Sequence, residues 1–184
     1  MLISRRHLSL MPFSSVLAAG GTRMSIQLSC GSIGVKANQR QAIDYAAKYG
    51  FECVDADSGY LASLDRPQLS ELLAEMKSKN VKWGSAGLPV DFRKDDETFR
   101  QGVTDLPRRA AALRAVGVTR VGTWIGPSSN TLTFTGNMKL HAERLRLVAS
   151  VLADQDCRLG LEYVGPKTSW SSGRYPFVHT MKET

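Results

Sequence analysis

RLGLEYVGPKTSW, residues Arg158–Trp170, is the stretch of the sequence that says most about its architecture. It begins as a short apolar run typical of a buried strand in a parallel sheet, and a Gly-Pro pair ends that run. Glu162 interrupts it. A carboxylate that closes a buried strand costs free energy unless a positive charge or a metal ion compensates it. Glu162 therefore indicates either an ion pair, with Lys167 as the nearest basic partner in sequence, or a metal site.

The same alternation of a short apolar strand and an amphipathic helix extends outward from this stretch along the rest of the chain. The predicted strands cover residues 25–34, 51–60, 81–92, 119–127 and 158–166. The predicted helices cover residues 38–50, 65–80, 95–117 and 137–156. Asp65 and Gln68 form a capping-box pattern at the start of the second helix, and Pro107 predicts a kink in the third. His141, in a charged part of the fourth helix, is predicted to lie at the surface.

Strands that alternate with helices predict βαβ units and a parallel sheet. Two architectures fit this rhythm, a doubly wound open sheet and a (β/α)₈ barrel. The first strand is not followed by G-x-G-x-x-G, which disfavours the nucleotide-binding form of the open sheet. Small residues inside the strands suit the tight inner layers of a barrel: Gly84, Ser85, Gly122 and Gly160. We therefore predict an α/β fold, a partial (β/α)₈ TIM barrel of about five βα units with parallel strands.

The composition excludes several classes of partner. The 184 residues carry a formal net charge of +7, but the Lys and Arg residues are dispersed and form no basic stripe of the kind that binds nucleic acid. No apolar run is long enough to cross a membrane. The three cysteines lie far apart, which disfavours a disulfide framework or a zinc knuckle. We therefore expect neither a nucleic-acid partner nor a membrane partner.

The N-terminal segment, residues 1–23, resembles a twin-arginine export signal. It contains the pair Arg5 and Arg6, a modest apolar region and small residues that predict cleavage near Ala19. The alternative is a wrongly assigned upstream start, with Met24 as the first residue of a cytoplasmic protein. We favour export. Under both interpretations, residues 1–23 precede the predicted barrel domain of residues 24–184.

In a parallel α/β fold, functional residues lie at the carboxyl ends of the strands. Asp57 shares a strand face with Asp55 by period-two spacing, so both could reach one site, although one of them could instead cap the next helix. Trp124 and Trp170 could stack on the apolar face of a sugar, or could simply pack at the rim. The predicted substrate contacts are Trp124, Lys167, Trp170 and Asp57.

With this strand rhythm and the sequence LGLEYVGP, the chain resembles the sugar phosphate isomerase/epimerase family. That family belongs to the xylose isomerase-like TIM barrel superfamily, which also includes the family 2 apurinic endonucleases. The segments GFECVDAD and WGSAGLPVDF look like the second and third strands of the family, and the resemblance runs from about Ser25 to the C-terminus. It implies that Glu162 binds a divalent cation, manganese, magnesium or cobalt, and acts as a catalytic acid or base.

The mechanism that this resemblance implies is proton transfer next to a carbonyl group. The cation would chelate the carbonyl and a neighbouring hydroxyl of a ketose, and two carboxylates would remove and return the proton. The expected partner is a small sugar or polyol. A second copy of the chain, in a homo-oligomer, is a further candidate partner. Two alternatives stay open, a dehydratase that acts on inosose-like polyols and a non-catalytic sugar-binding remnant.

The sequence departs from the family in several places. The remaining metal ligands of the family come from strands six to eight, which we do not find here, so we expect a chain truncated after the fifth strand and inactive by itself. Residues 173–184 are predicted to lie in a fifth helix, where His179 has no evident partner. Val164 stands where xylose isomerases proper have a catalytic Lys, which disfavours a hydride shift. Asp57 and Asp91 stand where the endonucleases have His ligands, which disfavours DNA repair.

Overall fold

The computed structural model describes residues 24–184, so the predicted export signal lies outside the described residues. The strands are β1 (Gln27–Leu28), β2 (Cys53–Val54), β3 (Lys82–Trp83), β4 (Ala86–Gly87), β5 (Arg120–Trp124), β6 (Ser128–Ser129), β7 (Arg158–Glu162) and β8 (Tyr175–Pro176). The helices are α1 (Gln39–Tyr49), α2 (Ser58–Ser63), α3 (Arg66–Ser78), α4 (Asp96–Ala115), α5 (Phe134–Ala153) and α6 (Lys167–Trp170), and a 3₁₀ turn covers Gly31–Ile33. No helix in this part of the chain has the length and apolar character that crossing a membrane requires.

The strands are parallel and follow one another in chain order. β1, β2 and β3 form one sheet, and β4, β5 and β7 form a second. β3 and β4 are two parts of one predicted strand, so the sequential order runs through all the predicted strands without reversing. A doubly wound sheet reverses its strand order, whereas a TIM barrel does not. The predicted α/β class and partial barrel are confirmed, and the described strands do not close on themselves.

The interruption between β3 and β4 has a local cause at Gly84 and Ser85. The backbone N–H of Ser85 donates to the side-chain Oε1 of Gln27, 2.9 Å away, instead of to a strand neighbour. A Cβ atom on Gly84 would lie 1.8 Å from the same Oε1 atom, so only glycine leaves room for this side chain. A polar side chain from β1 thus crosses the inner surface of the sheet and replaces part of its backbone ladder.

The main hydrophobic core lies between the strands and the helices, and the predicted amphipathic character of the helices is confirmed, although Leu73 of α3 is 37% exposed. Fully buried side chains in it include Ile43, Leu72, Leu106, Leu113, Val148 and Leu152. All three cysteines are free and buried. The predicted capping box of α3 is also confirmed, because the Asp65 carboxylate accepts from the backbone N–H of Gln68 and the Gln68 side chain accepts from that of Asp65.

The predicted secondary structure is wrong in two places. The strand predicted for residues 51–60 ends early, and its last residues begin helix α2. The fifth helix predicted for residues 173–184 is absent from the structure, where β8 instead pairs antiparallel with β6. Phe177 and Val178, which follow β8, pack with Ile125 in a second small core. These apolar residues are buried because the chain turns back after α6 and pairs β8 with β6. Local periodicity did not indicate this pairing.

The surface position predicted for His141 is wrong, because only 7% of this residue is exposed. Its ring packs edge-on against Phe92 and tilted against Phe177, with centroid distances of 5.3 Å and 5.0 Å. Its Nδ1 atom lies 3.0 Å from the carbonyl oxygen of Asn137, and its Nε2 atom is buried with no hydrogen-bond partner among residues 24–184. Its exposed charged neighbours, Lys139 and Glu143, lie on other faces of α5, whereas the buried Arg144 lies one turn along on the same face as His141.

His179 also has partners that the sequence did not indicate. Its Nδ1 atom lies 2.7 Å from the carbonyl oxygen of Phe177 and 3.4 Å from the Glu183 carboxylate. Its ring lies 4.9 Å from that of Trp170. Since residues 177–180 are not helical, these contacts stabilise the end of the described chain around Trp170.

Candidate functional site

A cavity of about 440 Å³ lies at the carboxyl ends of the parallel strands. It extends from the turn after β1, past the end of β2, to the inner surfaces of β4, β5 and β7. Its lining residues are Ser29, Ser32, Asp55, Ser85, Ala86, Gly87, Gly122, Thr123, Trp124, Gly160, Leu161 and Glu162. Small and hydroxyl side chains predominate, so the cavity offers hydrogen-bonding groups and little steric obstruction. Three of the small residues predicted to face a barrel interior, Ser85, Gly122 and Gly160, line it.

Trp124 and Glu162 are neighbours across β5 and β7. They occupy paired positions of the parallel register, and the backbone N–H of Ile125 donates to the carbonyl oxygen of Glu162 at 2.8 Å, which fixes that register beyond the end of β5. Side chains at paired positions of adjacent strands point to the same face of a sheet. The sheet therefore brings one large aromatic ring and one carboxylate together at the mouth of the cavity.

Glu162 is exposed, so the prediction of a carboxylate on a buried strand is wrong. β7 is the last strand of its sheet in the described part of the chain, and most of its residues are exposed. No ion pair joins Glu162 to Lys167, and within residues 24–184 the Glu162 carboxylate has neither a hydrogen bond nor an ion pair. It therefore has no internal partner to displace before it contacts a ligand.

Asp55 is the second carboxylate that lines the cavity. The Gln27 side-chain amide donates to one Asp55 oxygen and, at 3.2 Å, to the Ser85 hydroxyl. The backbone of Asp55 is fixed as well, because the amide of the buried Gln39 donates to its carbonyl oxygen at 2.9 Å. The Asp55 carboxylate is therefore oriented by a hydrogen bond within the protein, whereas the Glu162 carboxylate has no such bond in the described chain.

Three predicted substrate contacts lie away from this cavity. The Asp57 carboxylate caps α2 by accepting from the N–H groups of Gly59 and Tyr60, at 2.9 Å and 3.1 Å. Lys167 is exposed at the start of α6, and Trp170, at the end of α6, packs against His179. None of the three lines the cavity, so the structure brings together only Glu162 and Trp124 from the predicted set. Contact of the other three with a substrate stays a prediction.

Asp55 lines the cavity, whereas the sequence predicts Asp57 as the substrate contact. One signal distinguishes them: Asp57 is followed directly by a Ser-Gly pair and then by an amphipathic helical turn, a pattern typical of a helix cap. Asp55 directly follows β2, and alternation along a strand places it on the inner face beside Gln27. The long-range partner that orients Asp55 was not visible in the sequence, because Gln27 lies on a different strand.

The described residues do not fit a divalent cation site. Manganese and magnesium take about six oxygen or nitrogen ligands, and a protein site supplies several of them. Among residues 24–184, no group of three His, Cys, Asp or Glu side chains is arranged to hold a metal ion. Glu162 is one donor, and Asp55 already accepts a hydrogen bond from Gln27. The predicted ligand role of Glu162 stays a prediction.

Known structures share this arrangement of strands and helices, although no family model and no curated protein sequence matches the chain. The chain is similar to a xylose isomerase domain protein from Alicyclobacillus acidocaldarius subsp. acidocaldarius, with a TM-score of 0.68 and 27% identity over 80% of this chain and 53% of that one. It is also similar to a D-psicose 3-epimerase crystallised in the presence of D-fructose, with a TM-score of 0.58 and 15% identity over 77% of this chain and 53% of that one.

A third similar structure is that of the IolI protein with a bound zinc atom, with a TM-score of 0.60 and 16% identity over 77% of this chain and 52% of that one. The chain thus spans about half the length of each of these proteins. It has the fold of the xylose isomerase-like TIM barrel proteins, a group that includes sugar epimerases and a probable dehydratase. The predicted resemblance is confirmed at this level.

Proposed function

We propose that the chain is part of a sugar or sugar phosphate isomerase or epimerase that transfers a proton next to a carbonyl group, with Glu162 as the acid or base. The observation that supports this proposal most strongly is the pairing of Trp124 and Glu162 at the mouth of one cavity. An aromatic ring beside a carboxylate suits a sugar, which has an apolar face of C–H groups and an edge of hydroxyl groups. The same fold is found in a D-psicose 3-epimerase and a 3-keto-D-glucoside 4-epimerase.

Each side chain has a distinct role in this proposal. The Glu162 carboxylate has no internal partner, so one of its oxygens can take the proton from the carbon beside the carbonyl and return it. Trp124 packs against the apolar face of the sugar and fixes which carbon faces Glu162. Asp55 and the serine hydroxyls that line the cavity bind substrate hydroxyl groups, since a carboxylate oxygen accepts hydrogen bonds strongly.

A divalent cation, manganese, magnesium or cobalt, is proposed for the complete enzyme only. It would polarise the carbonyl when bound, but residues 24–184 bring together too few donors to hold it. No role proposed above for Glu162, Trp124 or Asp55 depends on it. The half barrel by itself is therefore proposed to be inactive.

Deuterium exchange tests this proposal. The product of the complete reading frame is incubated in D₂O with D-fructose or D-tagatose, and NMR follows the C–H group next to the carbonyl. Wild type is expected to exchange this proton, and Glu162→Gln to lose exchange by about a hundredfold or more, as for removal of a general base. Glu143→Gln removes the same charge from an exposed site on α5 and is expected to exchange like wild type.

Three other outcomes have defined meanings. Equal exchange by Glu162→Gln and wild type would remove Glu162 from the reaction. Release of water from an inosose without ketose exchange would replace the isomerase by the dehydratase. Sugar binding with neither reaction would leave the non-catalytic remnant.

A further inference from the structure

Arg93 lies in the segment that follows β4, outside the cavity lining, and contacts the aromatic ring at the cavity mouth. Its guanidinium carbon lies 4.3 Å from the centroid of the Trp124 ring. Its Nη1 atom donates to the Trp124 carbonyl oxygen at 2.7 Å. We infer that Arg93 is a positioning residue that fixes the Trp124 indole beside Glu162 and leaves only the opposite face of the ring for a sugar. This inference rests on the proposed function for the identity of the ligand.

The hydrogen bond to the Trp124 carbonyl continues the sheet where backbone pairing stops. The Gly122 carbonyl oxygen accepts from the backbone N–H of Leu88 at 2.9 Å, just past the end of β4. Carbonyl groups two residues apart on a strand point to the same side, so the Trp124 carbonyl also points towards the edge that faces β4. β4 does not extend that far, and Arg93 supplies the missing donor. The end of β5 is held in place by this side chain.

The segment that carries Arg93 is itself anchored. Arg144, a buried residue on α5, donates to the carbonyl oxygens of Phe92 and Lys94 at 2.8 Å and 2.5 Å, on either side of Arg93. Phe92 is fully buried, and the Arg93 guanidinium also lies 4.8 Å from its ring. The backbone at Arg93 therefore has little freedom, so the side chain starts from a fixed point.

An arginine suits this position better than a lysine does. The guanidinium is planar, so it can lie over the indole and donate an N–H in its own plane to the carbonyl at the same time. Asp91 helps to orient it, with an Oδ1 atom 3.7 Å from Nε. A lysine ammonium would keep the charge but could not provide stacking and in-plane donation together.

The consequence for Trp124 is a ring that is exposed but ordered. Trp124 is 49% exposed, a large fraction for a tryptophan. Since the guanidinium occupies one face, a ligand meets the other face, the one that remains open. A ring held in one orientation before binding lowers the entropic cost of binding, so it improves affinity without a new contact to the ligand.

The mobility of the Trp124 ring tests the inference without requiring activity. Trp83 and Trp170 are first replaced by Phe, which leaves Trp124 as the only tryptophan. The Trp83 Nε1 atom is buried with no hydrogen-bond partner in the described chain, so this change loses no such bond. Acrylamide quenching and fluorescence anisotropy are then measured for Arg93→Ala, Arg93→Lys and the control Arg100→Ala. Arg100 is an exposed arginine of α4 whose ion pair is with Glu97.

Arg93→Ala is expected to shift the population of Trp124 orientations by about two- to fivefold, the effect of one exposed cation–π contact, which raises quenching and lowers anisotropy. Arg93→Lys is expected to resemble Arg93→Ala, and Arg100→Ala to resemble the parent. Unchanged quenching and anisotropy in Arg93→Ala, with far-UV circular dichroism equal to that of the parent, would overturn the inference. Full restoration by lysine would also overturn it, because charge alone would then suffice.

Titration of the complete protein with D-fructose separates this inference from the proposed function. Trp124→Ala is expected to weaken D-fructose binding severalfold. Arg93→Ala is expected to weaken it by about two- to fivefold, the factor given above for the ring orientations. If Trp124→Ala binds D-fructose like wild type, the proposed stacking role fails, whereas the ordering of the ring by Arg93 is judged by the quenching result. If the ring loses its order in Arg93→Ala but D-fructose affinity does not change, the preorganising role of Arg93 is overturned.

Discussion

His141 shows how a single buried side chain can make stability depend on pH. Burial lowers its pKa, and the positive charges of Arg93 and Arg144 lower it further, while the bond to the Asn137 carbonyl opposes them. In the unfolded chain the imidazole titrates near its ordinary pKa of about 6.5. As the pH falls below that value, the imidazole is protonated more readily in the unfolded state than in the folded state, so the folded state loses stability.

We therefore predict that the free energy of unfolding falls when the pH is lowered from about 7 to about 5, and that part of this fall belongs to His141. Urea unfolding of His141→Gln and His141→Met at both pH values measures that part. Both variants are expected to show a smaller decrease than wild type, because neither can titrate. If both variants show the wild-type decrease, His141 does not cause the pH dependence.

Trp124 and Glu162 lie at the carboxyl ends of their strands, as predicted, but the environment predicted for Glu162 is wrong. The apolar run around it was correctly interpreted as a strand, and burial was inferred from that run alone. Whether a strand is buried depends on what lies beside it, and β7 has no further strand beside it in the described chain. Asp57 caps α2, which is the alternative that the sequence left open for one of the two aspartates, and its contact with a substrate stays a prediction.

The helix ends follow rules that act over a few residues and are therefore visible in the sequence. The capping boxes at the starts of α1 and α3 provide hydrogen-bond acceptors for backbone N–H groups that a helix leaves without partners. At α1, the Asn38 side chain accepts from the N–H of Gln41 at 2.9 Å. The long helices α4 and α5 were predicted within a few residues of their observed ends. The short β-strands were overpredicted, because their pairing depends on distant partners.

The α3 box gives a prediction about stability. Asp65→Ala is expected to lower the free energy of unfolding by about 1 kcal/mol, the usual effect of removing a cap. Asp65→Asn keeps an acceptor oxygen, so its free energy of unfolding is expected to stay within about a few tenths of a kcal/mol of the wild-type value. Urea denaturation of the three proteins measures the difference. A loss in the Asn variant as large as that in the Ala variant would show that charge, and not capping, stabilises the start of α3.

The strand order of the whole fold determines which side chains reach the cavity. The parallel strands of the described chain deliver Asp55 and Glu162 to one cavity, and no third metal-binding side chain joins them. The order of the strands was predictable, because alternating strands and helices with short connections allow few topologies. The contents of the cavity were less predictable, because they depend on register and on side chains that cross between strands.

We predict that the 184-residue chain binds manganese only weakly. Among residues 24–184, one carboxylate without an internal partner is far short of the ligand number that the ion requires, so we expect a dissociation constant above about 1 mM, with little difference between wild type and Glu162→Gln. Electron paramagnetic resonance of free Mn²⁺ measures this binding, and Glu143→Gln again controls for charge. Tight binding that Glu162→Gln abolishes would contradict this prediction and would make Glu162 a metal ligand.

The side chain of Gln27 on β1 links residue 55, directly after β2, to residues 84 and 85, between β3 and β4. Its amide holds the Asp55 carboxylate, accepts the Ser85 N–H and occupies the space that a Cβ on residue 84 would need. A change at any of these positions removes a contact, or the need for space, that favours the present residue at the others. Among homologous sequences, positions 27, 55, 84 and 85 are therefore expected to vary together: a lineage that gains a side chain at 84 would lose Gln27 and, with it, the orientation of the carboxylate at 55.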